Sequence, residues 1–294
     1  MNDQLPRARD ALDCEVVETR KGARAIRDRI TGELMHPVIG PLIEAERLYI
    51  GPSKLEARLR TGGEIDGNAP ALRGGAPALV VLDVGLGAGS NAIAAWRLSE
   101  SLPASCRKLE IVSFDRSLVA LELALQPQHA ASFGLEGAAG TAAHALLTCG
   151  RSDTTRSAWR LNAGELLPAL AREPEALADV VFWDPFSPRA NPALWTVAAF
   201  TELRRLCRSG TTVHTYSGAT AVRTSLLLAG FAVGRRDDVG EGRQNTCAAT
   251  DVHQLDTPLD TSFLDRLTRS SAAFPVDAPA DALQRLRALP QFAS

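Results

Sequence analysis

Residues 79–100 read LVVLDVGLGAGSNAIAAWRLSE. The first six form a short, nearly continuous apolar run, the pattern of a strand covered on both faces. Gly85-Leu86-Gly87-Ala88-Gly89-Ser90 breaks it, and residues 91–100 read as a helix. The alternation continues outward from there. Residues 109–114 are a second strand ending at Asp115, with 118–125 helical behind it. Residues 179–183 (DVVFW) are another, ending in Asp184-Pro185-Phe186-Ser187-Pro188. A long helix is expected over 192–208, stopped by Gly210 as its C-terminal cap. Residues 211–216 read as strand, 219–229 as helix, and 231–235 with 246–250 as a closing strand pair. Residues 130–150 are small and Gly-rich and give no assignment. Strands alternating with helices predict an α/β domain of Rossmann-like type, a mostly parallel sheet with helices on both faces.

Upstream, residues 14–35 alternate loosely around a Lys21-Gly22 turn signal, which predicts a β-hairpin. A short helix is expected over 37–49, and the Gly/Pro-rich residues 61–77 read as a link into the main domain. The division expected is a β-rich extension and linker (1–75), the α/β domain (76–253) and a tail (254–294) with one amphipathic stretch over 280–289.

Composition narrows the class. The 294 residues carry 32 Lys+Arg against 34 Asp+Glu, a net charge of −2, so nucleic-acid contact requires a local patch and not a global basic field. With 45% hydrophobic and 22% charged residues the chain is ordinary for a globular protein and can bury a core without disulfides or metals. No secretory signal and no run of 18 apolar residues is present, so the expectation is cytoplasmic, with no membrane partner. The five cysteines form no Cys-x-x-Cys pair and the five histidines no His-x-x-x-His spacing. No metal is expected, and the thiols read as buried and reduced.

Three constellations carry chemistry. In such sheets ligands lie beyond the carboxyl ends of the strands. Gly85, Gly87 and Gly89 are spaced G-x-G-x-G, so backbone can approach a ligand closely. The dinucleotide fingerprint G-x-G-x-x-G would end on Ser90. A nucleoside without a diphosphate needs the tight loop but no helix N-terminus aimed at phosphate, which favours S-adenosylmethionine over NAD; a plain structural turn is the alternative. Asp115, at the end of the second strand, is placed to accept both ribose hydroxyls. In the third, two prolines stiffen the loop, Phe186 offers a stacking face, and Asp184 can orient an amine and take its proton. The alternative is that Asp184 caps the following turn.

Residues 179–231 resemble the methyltransferase domain of the MnmC-type tRNA-modification enzymes. The landmarks are the D-P/G-F-x-P loop, an N-P-x-x-W helix start, a T-x-[YF]-[ST] strand and an A-G-F turn. GLGAGSN, the SFD of 113–115 and the upstream MHPVIGPLIEAERLY extend the resemblance to about 15–250. It implies a class I S-adenosylmethionine methyltransferase acting on the aminomethyl group of the tRNA wobble uridine, giving 5-methylaminomethyl-(2-thio)uridine. Gly85, Gly87 and Gly89 would line the methionine end of the donor, Asp115 would hold the ribose, and Asp184 with Phe186 would face the acceptor amine. Glu44 matches a family glutamate that closes over the donor. Asn162 stands where the family often has an aspartate near the adenine, and its amide oxygen still accepts from the adenine amino group.

The turn Gly242-Arg243-Gln244-Asn245 is less basic than its family counterpart. Some relatives are fused to a flavin-dependent oxidase; at 294 residues this chain is expected to do methylation only. Arg20, Lys21, Arg24, Arg27 and Arg29, then Arg204, Arg205 and Arg208, then Arg235 and Arg236 are candidate grips on tRNA phosphates, with solvated surface as the alternative. His214, in an apolar strand, reads as a core residue. Two other functions remain open on these residues: a same-fold methyltransferase acting on a small amine or another base, and a non-catalytic donor- or RNA-binding module. Oligomeric state is not legible.

Overall fold

The computed structural model describes residues 13–36, 39–61, 77–237, 244–270 and 272–293. The link over 62–76 and the turn at Gly242 and Arg243 lie outside the described residues. The chain divides into two compact units, residues 1–169 and 170–294.

The first unit opens with an antiparallel sheet of β1 (Cys14–Glu18), β2 (Arg24–Asp28) and β3 (Leu34–Met35). The expected hairpin is present: Val16 pairs with Ile26, and Gly22 turns the chain at a φ of 78°. A third strand follows because the Asp28 carboxylate accepts from the N–H groups of Ile30 and Thr31 and reverses the chain again. Of the helix expected over 37–49, residues 37 and 38 lie outside the described residues, and the chain is helical from Pro41 to Ile50 with a change of winding. α1 (Pro41–Ala45) runs into a π-helical turn over Glu46–Ile50, and α2 (Leu55–Arg60) follows.

β4 (Leu79–Val84) is buried at every residue. It is followed by α3 (Ser90–Ser101), β5 (Leu109–Asp115) and α4 (Val119–Ala124). The unassigned Gly-rich stretch forms a 3-10 turn and α5 (Gly137–Cys149), and the chain continues through β6 (Arg151–Asp153), β7 (Ser157–Ala163) and α6 (Leu166–Ala171). The strand order is β4-β5-β7-β6, with β4–β5 and β5–β7 parallel. β7 lacks an apolar-run signature because its burial alternates: Ser157, Trp159 and Leu161 point inward between partly exposed Ala158, Arg160 and Asn162. Buried Arg156 pins this half, donating to the carbonyls of Cys106 (2.7 Å) and Arg107 (2.9 Å).

The second unit contains β8 (Ala178–Trp183), α7 (Val197–Leu206), β9 (Cys207–Thr215), α8 (Thr220–Leu228), β10 (Ala232–Asp237), β11 (Gln244–Ala249), α9 (Thr261–Arg269) and α10 (Ala282–Arg287). The order is β8-β9-β11-β10, parallel only between β8 and β9. The long helix differs from expectation at both ends. A 3-10 turn (Pro192–Trp195) precedes Thr196, whose hydroxyl caps α7 by accepting from Ala199 N. Gly210 is not the C-terminal cap: the chain passes directly from α7 into β9 at Cys207. Gly210 (φ 75°) lies within the strand, where the register against β8 slips between Ala178 and Val180.

Residues 255–270 and 272–292 belong to this unit. Arg235 N donates to Thr257 O and Leu259 N to Val233 O, so the segment covers the free edge of β10. The Gln291 side chain joins both, accepting from Val233 N and donating to the carbonyls of Val233 and Leu259. His214 is buried, with Nε2 3.0 Å from Thr212 Oγ1, as a core residue should be. All five cysteines are free, but only Cys207 is buried and Cys149 is exposed. Burial pushes the Cys207 thiol up to about 12. No helix among the described residues is long and apolar enough to cross a membrane.

Candidate active site

In the first unit the strand ends build a cradle. Gly85, Gly87 and Gly89 have φ of 92°, 53° and 83°, all left-handed, where a side chain is strained. The loop is tied down by Gly85 N donating to Phe114 O at 3.0 Å and Gly89 N to Leu86 O at 2.7 Å. A Cβ on Gly87 would meet Met35 Sδ at 3.2 Å, so the end of β3 lies against the loop. Asp115 is mostly enclosed. Its Oδ2 accepts from Gly87 N (2.9 Å) and its Oδ1 from Ser117 N (3.1 Å). Burial pushes its carboxyl above the usual aspartate value, against the backbone N–H groups, which favour the charged form. Each oxygen keeps a lone pair, enough for two ligand hydroxyls. Asn162 stands on β7 opposite Phe114, one strand across from Asp115.

Glu44 is buried on α1, and its Oε1 accepts from Ile39 N at 2.8 Å. Its charge opposes the burial that pushes His36 below the usual histidine value. His36 follows Met35 directly and takes a φ of 54°, so Glu44 borders the segment that covers the glycine loop. Asp83, the fifth residue of β4, has no motif of its own and ties that strand to β5. It is buried, its Oδ2 accepts from Ser113 Oγ (2.8 Å), and that hydroxyl accepts from Trp159 Nε1 (2.9 Å). The available signal was an acid inside an otherwise apolar strand. Ser90 Oγ, buried at the exit of the loop, has no hydrogen-bond partner among the described residues, an orphan that a polar ligand would satisfy. The set suits a nucleoside with a charged amino-acid end, as S-adenosylmethionine is.

In the second unit the 184–188 loop is held by aromatic side chains. Trp195 Nε1 donates to Phe186 O (2.9 Å) and Tyr216 OH to Pro185 O (3.0 Å). The Trp195 ring lies edge-on to Tyr216 (5.9 Å) and Phe200 (6.4 Å), and Phe200 packs on Trp183 (5.1 Å). Asp184 and Phe186 are partly exposed on a backbone fixed at two carbonyls.

Four of the ten candidate basic grips stand in ion pairs. Arg27 and Arg29 pair with Glu15, Arg205 with Glu202 and Arg208 with Asp179. Arg204 lies 5.8 Å from the Phe231 ring centre.

Residues 142–251 match the family described as S-adenosyl-L-methionine-dependent methyltransferase. The bifunctional tRNA 5-methylaminomethyl-2-thiouridine biosynthesis protein MnmC of Ralstonia nicotianae is 30% identical over 239 residues, 75% of this chain and 32% of that protein. The protein of the same name from Aromatoleum aromaticum is 32% identical over 241 residues, 74% of this chain and 35% of that one. The chain therefore spans about a third of the length of these relatives. The crystal structure of MnmC2 from Aquifex aeolicus superposes with a TM-score of 0.70 at 23% identity, covering 95% of this chain and 84% of that one. Spermidine synthase from Thermotoga maritima follows at 0.52 and 12%, covering 94% and 84%. Fold and site define a Rossmann-like class I S-adenosyl-L-methionine-dependent methyltransferase. Within that class the chain belongs to the MnmC methyltransferase-domain family.

Proposed function

We propose that the chain methylates the aminomethyl nitrogen of a tRNA wobble uridine, giving 5-methylaminomethyl-(2-thio)uridine, in the cytoplasm. The observation that carries this reading is the clamped Asp184–Phe186 loop in a chain whose MnmC relatives match it over three-quarters of its length. The donor supplies an electrophilic methyl on a sulfonium. Gly85, Gly87 and Gly89 admit its amino-acid end, Asp115 accepts from the ribose hydroxyls, Asn162 accepts from the adenine amino group, and Glu44 closes the cover. The acceptor nitrogen must be neutral, since its lone pair forms the new N–C bond as the C–S bond breaks. Asp184 orients that nitrogen and takes the proton it sheds, and Phe186 stacks on the base. On this reading residues 76–253 carry the chemistry, 1–75 cover the donor and 254–294 complete the sheet edge.

The test is transfer of labelled methyl to bulk tRNA from a strain lacking this modification, with the product nucleoside identified by mass. Labelled 5-methylaminomethyl-(2-thio)uridine is expected; donor binding with unlabelled tRNA would overturn the substrate reading. Asp184→Ala should abolish turnover and leave donor affinity nearly intact. Equal loss of both would remove the acceptor-side role.

A further inference from the structure

A cavity of about 650 Å³ opens in the second unit between β10, β11 and α9. Four arginines line it, Arg223, Arg235, Arg266 and Arg269, together with Gln244 and the apolar face of Phe263. No carboxylate is among the described lining residues. Arg223 is 1% exposed and fixed in place, its Nε donating to Thr246 Oγ1 (3.0 Å) and Nη2 to Asn245 O (3.1 Å). Arg266 and Arg269 are three residues apart in the last turn of α9 and share a face. Arg235 comes from β10. The nearby Asp260 carboxyl is held below its usual value, chiefly by the Ser262 hydroxyl and N–H and to a lesser degree by Arg235.

Among the described residues, Arg235, Arg266 and Arg269 stand in no ion pair at contact distance, unlike Arg27, Arg29, Arg205 and Arg208. The helix dipole accounts for cations in the last turn of α9. It does not account for their convergence with Arg235 and Arg223 on one cavity. A guanidinium has five donors and no acceptor, so this lining calls for an anion rich in acceptor oxygens. The volume exceeds what one phosphate fills.

We infer that this cavity holds the sugar–phosphate backbone of the tRNA, an inference that rests on the tRNA reading proposed above. The test is fluorescence anisotropy of an unmodified tRNA transcript with wild type and an Arg235→Ala/Arg266→Ala/Arg269→Ala variant, titrated from about 50 to 200 mM KCl. Loss of three phosphate contacts should raise Kd by roughly tenfold or more and flatten the log–log salt slope by about 2 to 3. KM for tRNA should rise with kcat and the donor Kd unchanged. Wild-type Kd and slope in the triple variant would overturn the inference, even if wild type methylates tRNA. Wild type that binds no tRNA would overturn it as well. Arginine-dependent binding without methyl transfer would support it and sink the proposed reaction instead. Should the triple variant lose donor affinity through misfolding, Arg266→Gln/Arg269→Gln on the exposed face of α9 decides: weakened tRNA binding supports the cavity, and wild-type binding overturns it.

Discussion

On the proposed reading Asp115 does two jobs with one carboxylate. It fixes the glycine loop through Gly87 N and retains acceptor capacity for a ribose. Enclosure pushes its carboxyl up, so it takes a proton at a higher pH than an ordinary aspartate. Ribose hydroxyls donate to the charged form, which sets the sign: donor affinity is full above this raised value and falls as pH drops through it. Isothermal titration with S-adenosylmethionine from neutral to acid pH should show that fall starting above the usual carboxylate range. Asp115→Asn should flatten the profile and weaken binding about ten- to hundredfold, the worth of hydrogen bonds to a charged group. An unchanged Kd would remove the ribose role.

At the scale of elements, the 184–188 loop is placed less by its own prolines than by two neighbours. Trp195, from the turn before α7, and Tyr216, just after β9, each hold one of its carbonyls. Tyr216→Phe keeps the edge-on packing against Trp195 and deletes only the hydrogen bond to Pro185 O. Such a bond contributes about 1 kcal/mol, so kcat should fall roughly fivefold with donor Kd unchanged. Steady-state kinetics alongside donor titration checks this, and a matching loss of donor affinity would show that the loop serves both substrates.

For the whole molecule, the C-terminal residues complete the sheet. An open β10 edge would present unpaired N–H and C=O groups to other chains. The 255–259 segment and Gln291 occupy that edge, and Leu259, Leu286 and Phe292 are buried with them. Gln291→Ala removes three hydrogen bonds and should lower unfolding free energy by about 1–3 kcal/mol in urea titration, with donor affinity intact. A change below a few tenths would mean that water replaces the amide without cost.

The sequence alone determined the β4–loop–α3 and β5 stretches, the hairpin and the Asp184 loop, since each is coded by adjacent residues: apolar runs, glycines and prolines. The same holds for the family, whose motifs survive as local strings. β7 and the π-helical winding over Glu46–Ile50 were not legible, though the helix there was, because alternating burial and a π-helical turn are settled by what packs against them. Gly210 was misread as a cap for a related reason. A positive φ serves a helix end or a strand irregularity equally, and only pairing with β8 selects the second. Tertiary structure alone decided that Asp115 ties down the glycine loop while Asp83 pairs with Ser113, which aromatics hold the 184–188 loop, and which arginines are engaged. Those pairings join residues up to 46 positions apart, as in Trp159 and Ser113, and no local pattern encodes contact across such separations. Folding also put four of the ten candidate basic residues into ion pairs, and gathered four arginines from two helices and a strand around one cavity.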